Sequence, residues 1–237
     1  MEKMINYENL RNFAYSNDKL IKGRIRGIVI AFYGLGGMKM HNTDTGEGLD
    51  YAQENILYVI PYANPWNWMN RGAVAYADEI ISVLREQYGL GEDVKVVSTG
   101  GSMGGLCALV YCAYAKITPV ACVANCPVCD LVYHYTERPD LPRTLYSAFF
   151  EYDGTMEEAL RSCSPIHLVD QLPDIPYTVF HCEGDDRVNC EQHSQRLVEA
   201  MEGKRRIQLV RVPWRRHCDL SPAARVAYER AVLHAFN

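Results

Sequence analysis

Short apolar runs alternate along this chain with longer stretches whose apolar positions recur at helical spacing. The runs at 25–32, 56–60, 94–98, 120–124, 177–181 and 207–212 have the length and β-branched content of strands buried on both faces. Between Arg71 and Gly89 the positions Val74, Ala77, Ile81, Leu84 and Tyr88 follow a helical period, and Gly89 offers a left-handed stop. Residues 103–115 read as a second, buried helix. Thr155 and Glu158 have the spacing of a capping box, Asn189 and Gln192 open a helix to Met201, and Ser221-Pro222 starts a terminal helix. Residues 127–176 are less regular.

Strands that alternate with helices predict an α/β fold: a mostly parallel central sheet with helices on both faces. Chemistry in such sheets gathers at the carboxyl ends of the strands. The segments 33–37, 126–129, 183–189 and 213–219 and the turn at Ser102 would all meet there. The apolar stretch 106–129 is interrupted by Lys116 and Pro119, so it reads as helix, turn and strand rather than a membrane span.

With 237 residues, 48% hydrophobic and 22% charged, the chain has material for one sizeable core. No linker or repeat divides it, which predicts a single domain over 1–237. A net charge of −5 gives no reason to expect nucleic-acid binding. The first nine residues are polar, without the apolar segment of a secretory signal, so a reducing cytoplasm is expected. In that compartment the nine cysteines act mostly as small buried hydrophobes. No membrane association is expected, and a homodimer is the default association.

The sharpest local signal is Gly100-Gly101-Ser102-Met103-Gly104-Gly105, a G-x-S-x-G between a predicted strand and a predicted helix. A serine on such a turn has its hydroxyl held up as a nucleophile, and side chains at the flanking glycines would collide. The hydroxyl then needs a base, and the base needs a carboxylate to fix its tautomer. In strand-turn-helix hydrolases the order is serine, acid, histidine. Glu183, Asp185 and Asp186 are the acid candidates at a strand end. His217 follows the last strand. His41, His134 and His167 precede the acid; His181 ends a strand as a buried, hydrogen-bonded residue; His193 and His234 fall within helices.

From about residue 25 onward, the serine turn, Gly184-Asp185-Asp186-Arg187-Val188 and a histidine after the final strand resemble the α/β-hydrolase superfamily, in particular its esterase and prolyl-oligopeptidase-like members. The resemblance implies Ser102 as nucleophile, Asp185 as acid and His217 as base. It also implies an oxyanion hole from the amides of Leu35 and Met103, a lid within 127–165, and neither metal nor organic cofactor. Tyr33 replaces the histidine that often opens the Gly34-Leu35-Gly36-Gly37 loop, and Cys182 and Cys218 stand where glycine is common.

Tyr33, Trp66, Trp68, Cys126, Cys129 and Arg187 are candidate pocket residues, and Tyr133, Tyr135, Tyr146, Phe149, Phe150 and Tyr152 are candidates to roof the pocket. Arg215 and Arg216 flank the base, where a solvated loop is the simpler reading than an anion site. The expected reaction is hydrolysis of a carboxylic ester of a small or medium acyl substrate. A peptidase or aminoacyl hydrolase is the alternative, disfavoured because such peptidases usually carry a large extra domain. Two further readings are a non-catalytic binding protein on the same fold and a thiol-redox or metal protein using Cys126 and Cys129.

Overall fold

The structure is a computed structural model that describes residues 4–237. In chain order it contains β1 (Ala14–Ser16), β2 (Gly27–Phe32), α1 (Gly46–Gln53), β3 (Ile56–Pro61), α2 (Arg71–Tyr88), β4 (Val96–Gly101), α3 (Met103–Tyr114) and β5 (Ala121–Asn125). There follow α4 (Leu131–Glu137), α5 (Leu141–Phe149), α6 (Met156–Ser162), β6 (Tyr177–Cys182), α7 (Arg196–Met201), β7 (Ile207–Val212) and α8 (Pro222–His234). The seven strands form one sheet in the order β1-β3-β2-β4-β5-β6-β7. Among the described residues only β1 runs antiparallel, against β3, and the other pairings are parallel.

Alternation along the strands sends successive side chains to opposite faces. On β2, Ile28 and Ile30 pack with α2 and α3, whereas Val29 joins Tyr51 of α1, Val232 of α8 and Phe236. All three β2 residues are fully buried, as a strand covered on both faces requires. On β5, Cys122 and Ala124 pack against Ala108 and Leu109 of α3 and Leu197 of α7. The mostly parallel sheet covered on both faces is the arrangement the apolar runs predict.

Several helix ends follow from local sequence. Gly89 takes φ 58° and its N–H closes α2 on the carbonyls of Arg85 and Glu86. Thr155 and Glu158 form the reciprocal capping box of α6, and Ser221 accepts from Ala224 N at 3.2 Å. Asn189 caps Gln192 N at 3.0 Å, but the first turn that follows, 191–195, is a wide π turn before α7.

The sequence pattern does not predict β1 or α1. β1 has three residues, too few to show a period. α1 begins Gly-Glu-Gly and relies on the Thr45 cap, whose hydroxyl accepts from Gly48 N at 2.9 Å. β4 runs on through Gly100 and Gly101, paired to Ala124 and Asn125, because backbone hydrogen bonds hold it where side chains cannot. The irregular segment between β5 and β6 holds α4, α5 and α6; Asp130 caps α4 by accepting from Val132 N at 3.0 Å and Tyr133 N at 3.2 Å. Among the described residues, no helix is long and apolar enough to cross a membrane.

Candidate active site

Ser102 sits between β4 and α3 at φ 59°, ψ −126°, a backbone conformation that costs a non-glycine residue free energy. Hydrogen bonds hold it there: its N–H donates to Asn125 O at 2.9 Å, and its carbonyl accepts from Gly105 N at 3.0 Å and Leu106 N at 3.1 Å. A Cβ on Gly100 would collide with the Gly104 carbonyl, and one on Gly104 would collide with the Phe32 carbonyl. Both flanking glycines are therefore required by close backbone approach. Met103 is the first residue of α3, so its N–H has no acceptor within the helix. The Gly34 position lies beside Ser102: a Cβ there would be 3.7 Å from Ser102 Cβ, which brings the 33–37 loop against the serine.

His217 and Asp185 meet at the ends of β7 and β6. His217 Nδ1 donates to Asp185 Oδ2 at 2.6 Å, while Asp185 Oδ1 accepts from Arg187 N at 2.8 Å and Val188 N at 3.0 Å. Gly184 permits this crossing, since a Cβ there would lie 2.8 Å from Arg215 O. Burial raises the Asp185 pKa, but hydrogen bonds from His181, His217 and the two amides overcome that and hold its carboxyl well below the usual range. Burial likewise pushes His217 down, yet the Asp185 bond, aided by Cys126, lifts it to about 9. His181 is fully buried, with Nδ1 bonded to Ser194 Oγ at 2.7 Å and Nε2 to Val188 O at 3.1 Å. Its Nε2 is also 3.5 Å from Asp185 Oδ2.

Ser102 and His217 open onto the same cavity, of about 510 Å³. Tyr33, Leu35, Trp68, His134, Arg138, Arg187 and Cys218 are among the residues that line it. Among the described residues no hydrogen bond joins Ser102 Oγ to His217; Nε2 lies 3.7 Å from Cys218 Sγ instead. Bonds of this type commonly shorten when substrate binds.

Not every expected pocket residue reaches the cavity. Trp66 lies outside its wall, beneath the Arg143 guanidinium at 5.2 Å from the ring centroid. Cys126 and Cys129 are fully buried and do not line it either. The C-x-x-C turns its two thiols apart: Cys129 packs with Cys122 and Leu197, while Cys126 packs with Phe180 and Cys182. None of the six roof aromatics lines the cavity: Phe149 is buried in the core, and Tyr146 and Phe150 face solvent.

The lining residues that the pattern does not identify are His134 and Arg138, from α4 and its end. His134 Nδ1 donates to Glu137 Oε2 at 2.5 Å, and His193 Nε2 donates to the same oxygen at 3.0 Å. Burial lowers the His134 pKa against the pull of Glu137. His193 Nδ1 accepts from Cys129 N and Asp130 N at 3.1 and 3.3 Å, which leaves its proton on Nε2. A metal ion on this cluster would have to displace that proton and form an imidazolate, so the three side chains act as a hydrogen-bonded brace. The signal available in sequence was the i,i+3 spacing of His134 and Glu137.

A serine on a strained strand-to-helix turn and a carboxylate-held histidine, at the carboxyl ends of one parallel sheet, define an α/β-hydrolase. The chain belongs to the prolyl oligopeptidase family, whose sequence profile matches residues 66–237. The matched region contains Ser102, Asp185 and His217, but not the Leu35 loop. Among solved structures, esterase 2 of Thermogutta terrifontis is 20% identical with a TM-score of 0.62, over 94% of this chain and 86% of that one. Esterase B from Lactobacillus Rhamnosis is 14% identical with a TM-score of 0.68, over 91% and 76%. The acylaminoacyl peptidase of Pyrococcus horikoshii is 12% identical with a TM-score of 0.67, over 83% of this chain but only 34% of that one. At these identities the likeness is one of fold. No curated protein matches the chain at a significant level.

Proposed function

We propose that this hydrolase cleaves a carboxylic ester of a small or medium acyl substrate through an acyl-enzyme on Ser102. Ser102 Oγ attacks the carbonyl carbon and His217 Nε2 takes its proton. Asp185 holds the imidazole by Nδ1 and stabilises its charged form. The amides of Leu35 and Met103 receive the oxyanion; a single such donor contributes about 3 kcal/mol to the transition state. His217 returns the proton to the leaving oxygen, and water then repeats the sequence on the acyl-enzyme.

The observation that carries this reading is the shared cavity, lined by both Ser102 and the Asp185-held His217. Its size suits a small ligand. Two guanidinium groups and no carboxylate stand on the wall among the described residues, and Glu137 behind it is spent on two histidines. A free peptide amino terminus therefore has no counter-ion there, which favours an uncharged ester. The family match favours the second reading, a peptidase or aminoacyl hydrolase. A panel of p-nitrophenyl esters against aminoacyl p-nitroanilides tests the choice. A larger enhancement over the uncatalysed rate for short-chain esters supports the proposal, and a larger enhancement for the anilides replaces it with the second reading.

A further inference from the structure

The thiol that belongs with Cys126 is not Cys129 but Cys218. The Cys126 and Cys218 sulfurs and a ring nitrogen of His217 lie within 4.8 Å of one another. We propose that Cys126, Cys218 and His217 form a site for one thiophilic divalent cation of the Zn²⁺ class, which takes the base out of use when it binds. The consequence for activity rests on the serine hydrolase reading; the site itself does not.

Four observations carry it. Cys218 Sγ is 3.7 Å from His217 Nε2, and ordinary Zn–S and Zn–N bonds in a tetrahedron place those atoms about 3.6 Å apart. The other ring nitrogen of His217 already donates to Asp185 Oδ2, the outer carboxylate that orients a metal-binding imidazole and leaves Nε2 as the ligand. Cys126 Sγ accepts from Cys182 N at 3.3 Å and Cys218 N at 3.4 Å, so backbone donors are in place to stabilise a thiolate. Finally, His217 and Cys218 lie on the cavity wall, which gives the ion a route in.

The alternative grouping of Cys126 with His181 and Asp185 does not serve. Both His181 nitrogens are already bonded, to Ser194 Oγ and Val188 O. Charge also balances at the proposed site: two thiols release two protons, and the resulting thiolates neutralise the dication. With Nε2 bound to metal, its lone pair cannot accept the Ser102 proton.

The test is a Co²⁺ titration of chelator-stripped protein, followed by absorbance, on wild type, Ser102→Ala, Cys126→Ala and Cys218→Gly, each checked for folding by circular dichroism. Glycine suits position 218 because Cys218 holds φ 56°. Wild type and Ser102→Ala should give a thiolate-to-cobalt charge-transfer band saturating at one equivalent and lost on adding Zn²⁺. Either cysteine variant should lose the band. Zn²⁺ should also inhibit wild-type hydrolysis, with recovery on chelation, and the cysteine variants should need more than about 10-fold as much Zn²⁺, the least that loss of even an outer partner of a metal ligand costs. Folded wild type without a thiolate band, or cysteine variants that bind as wild type does, would overturn the proposal. A thiolate band in protein that is metal-free-inactive on every ester and anilide upholds the site and removes the hydrolase reading.

Discussion

His217 Nδ1 and Asp185 Oδ2 are 2.6 Å apart, joining the loops after β7 and β6 in one charge-assisted hydrogen bond. This bond sets the pH behaviour of the site. His217 must be neutral to act as base, and its pKa is lifted from 6.5 to about 9. Ester turnover by chelator-treated protein should therefore climb from about pH 7 toward about pH 9 rather than level off near neutrality. The stability contribution has the opposite sense: a raised histidine pKa stabilises the fold fully below about 6.5, and that gain is lost as pH rises through about 9. A kcat/KM profile flat above pH 7 would contradict the account.

Asp185→Asn removes the charge while keeping the size. Turnover should fall roughly 10⁴-fold, because the imidazole loses both its tautomer and its counter-ion. The ascending limb of the remaining activity should move down toward 6.5. A loss of tenfold or less in steady-state kinetics would count against the Asp185 assignment and favour Glu183 or Asp186 as the acid.

Gly104→Ala tests the geometry of the serine turn. The added methyl would strike the Phe32 carbonyl and lie 2.8 Å from Tyr33 O, both backbone atoms that cannot swing away. The expected cost is about 2 kcal/mol or more, read from the urea midpoint at unchanged slope. Gly36→Ala makes a useful comparison, since open space surrounds that position and only its φ of 79° opposes the change.

The Glu137 brace makes a prediction in acid. Burial raises the Glu137 pKa, but the His134 and His193 bonds dominate and hold its carboxyl far below the usual value. Such a group contributes stability that is present above about pH 4.3 and lost as pH falls toward the lowered pKa. Glu137→Gln should destabilise the protein by about 2 kcal/mol at neutral pH. The gap between variant and wild type should narrow in denaturant titrations near pH 3. An unchanging gap would remove the charge from the explanation.

Much of this site was legible because its chemistry is tied to chain order. Ser102, Asp185 and His217 each follow an apolar run that does form a strand of the sheet, so the order of motifs becomes proximity in space. Leu35 and Trp68 reach the cavity for the same reason. What was hidden depends on how irregular segments fold back. His134 and Arg138 sit on a seven-residue helix, too short for a periodic signal. Cys126 and Cys129 suggested a pair by spacing, but the backbone at Cys126, with φ 45°, turns its sulfur toward Cys218, ninety-two residues away. β1 and α1 leave no mark in the pattern because three residues carry no period and a Gly-Glu-Gly start carries little helix propensity.

In the proposed reaction Ser102 is a nucleophile activated from within the cavity it shares with His217. Fluorophosphonate labelling of chelator-treated protein measures it most directly. Wild type should label stoichiometrically on Ser102, Ser102→Ala should not label, and His217→Ala should label far more slowly. Folded wild type that fails to label, or a Ser102→Ala variant that labels equally well, would contradict it.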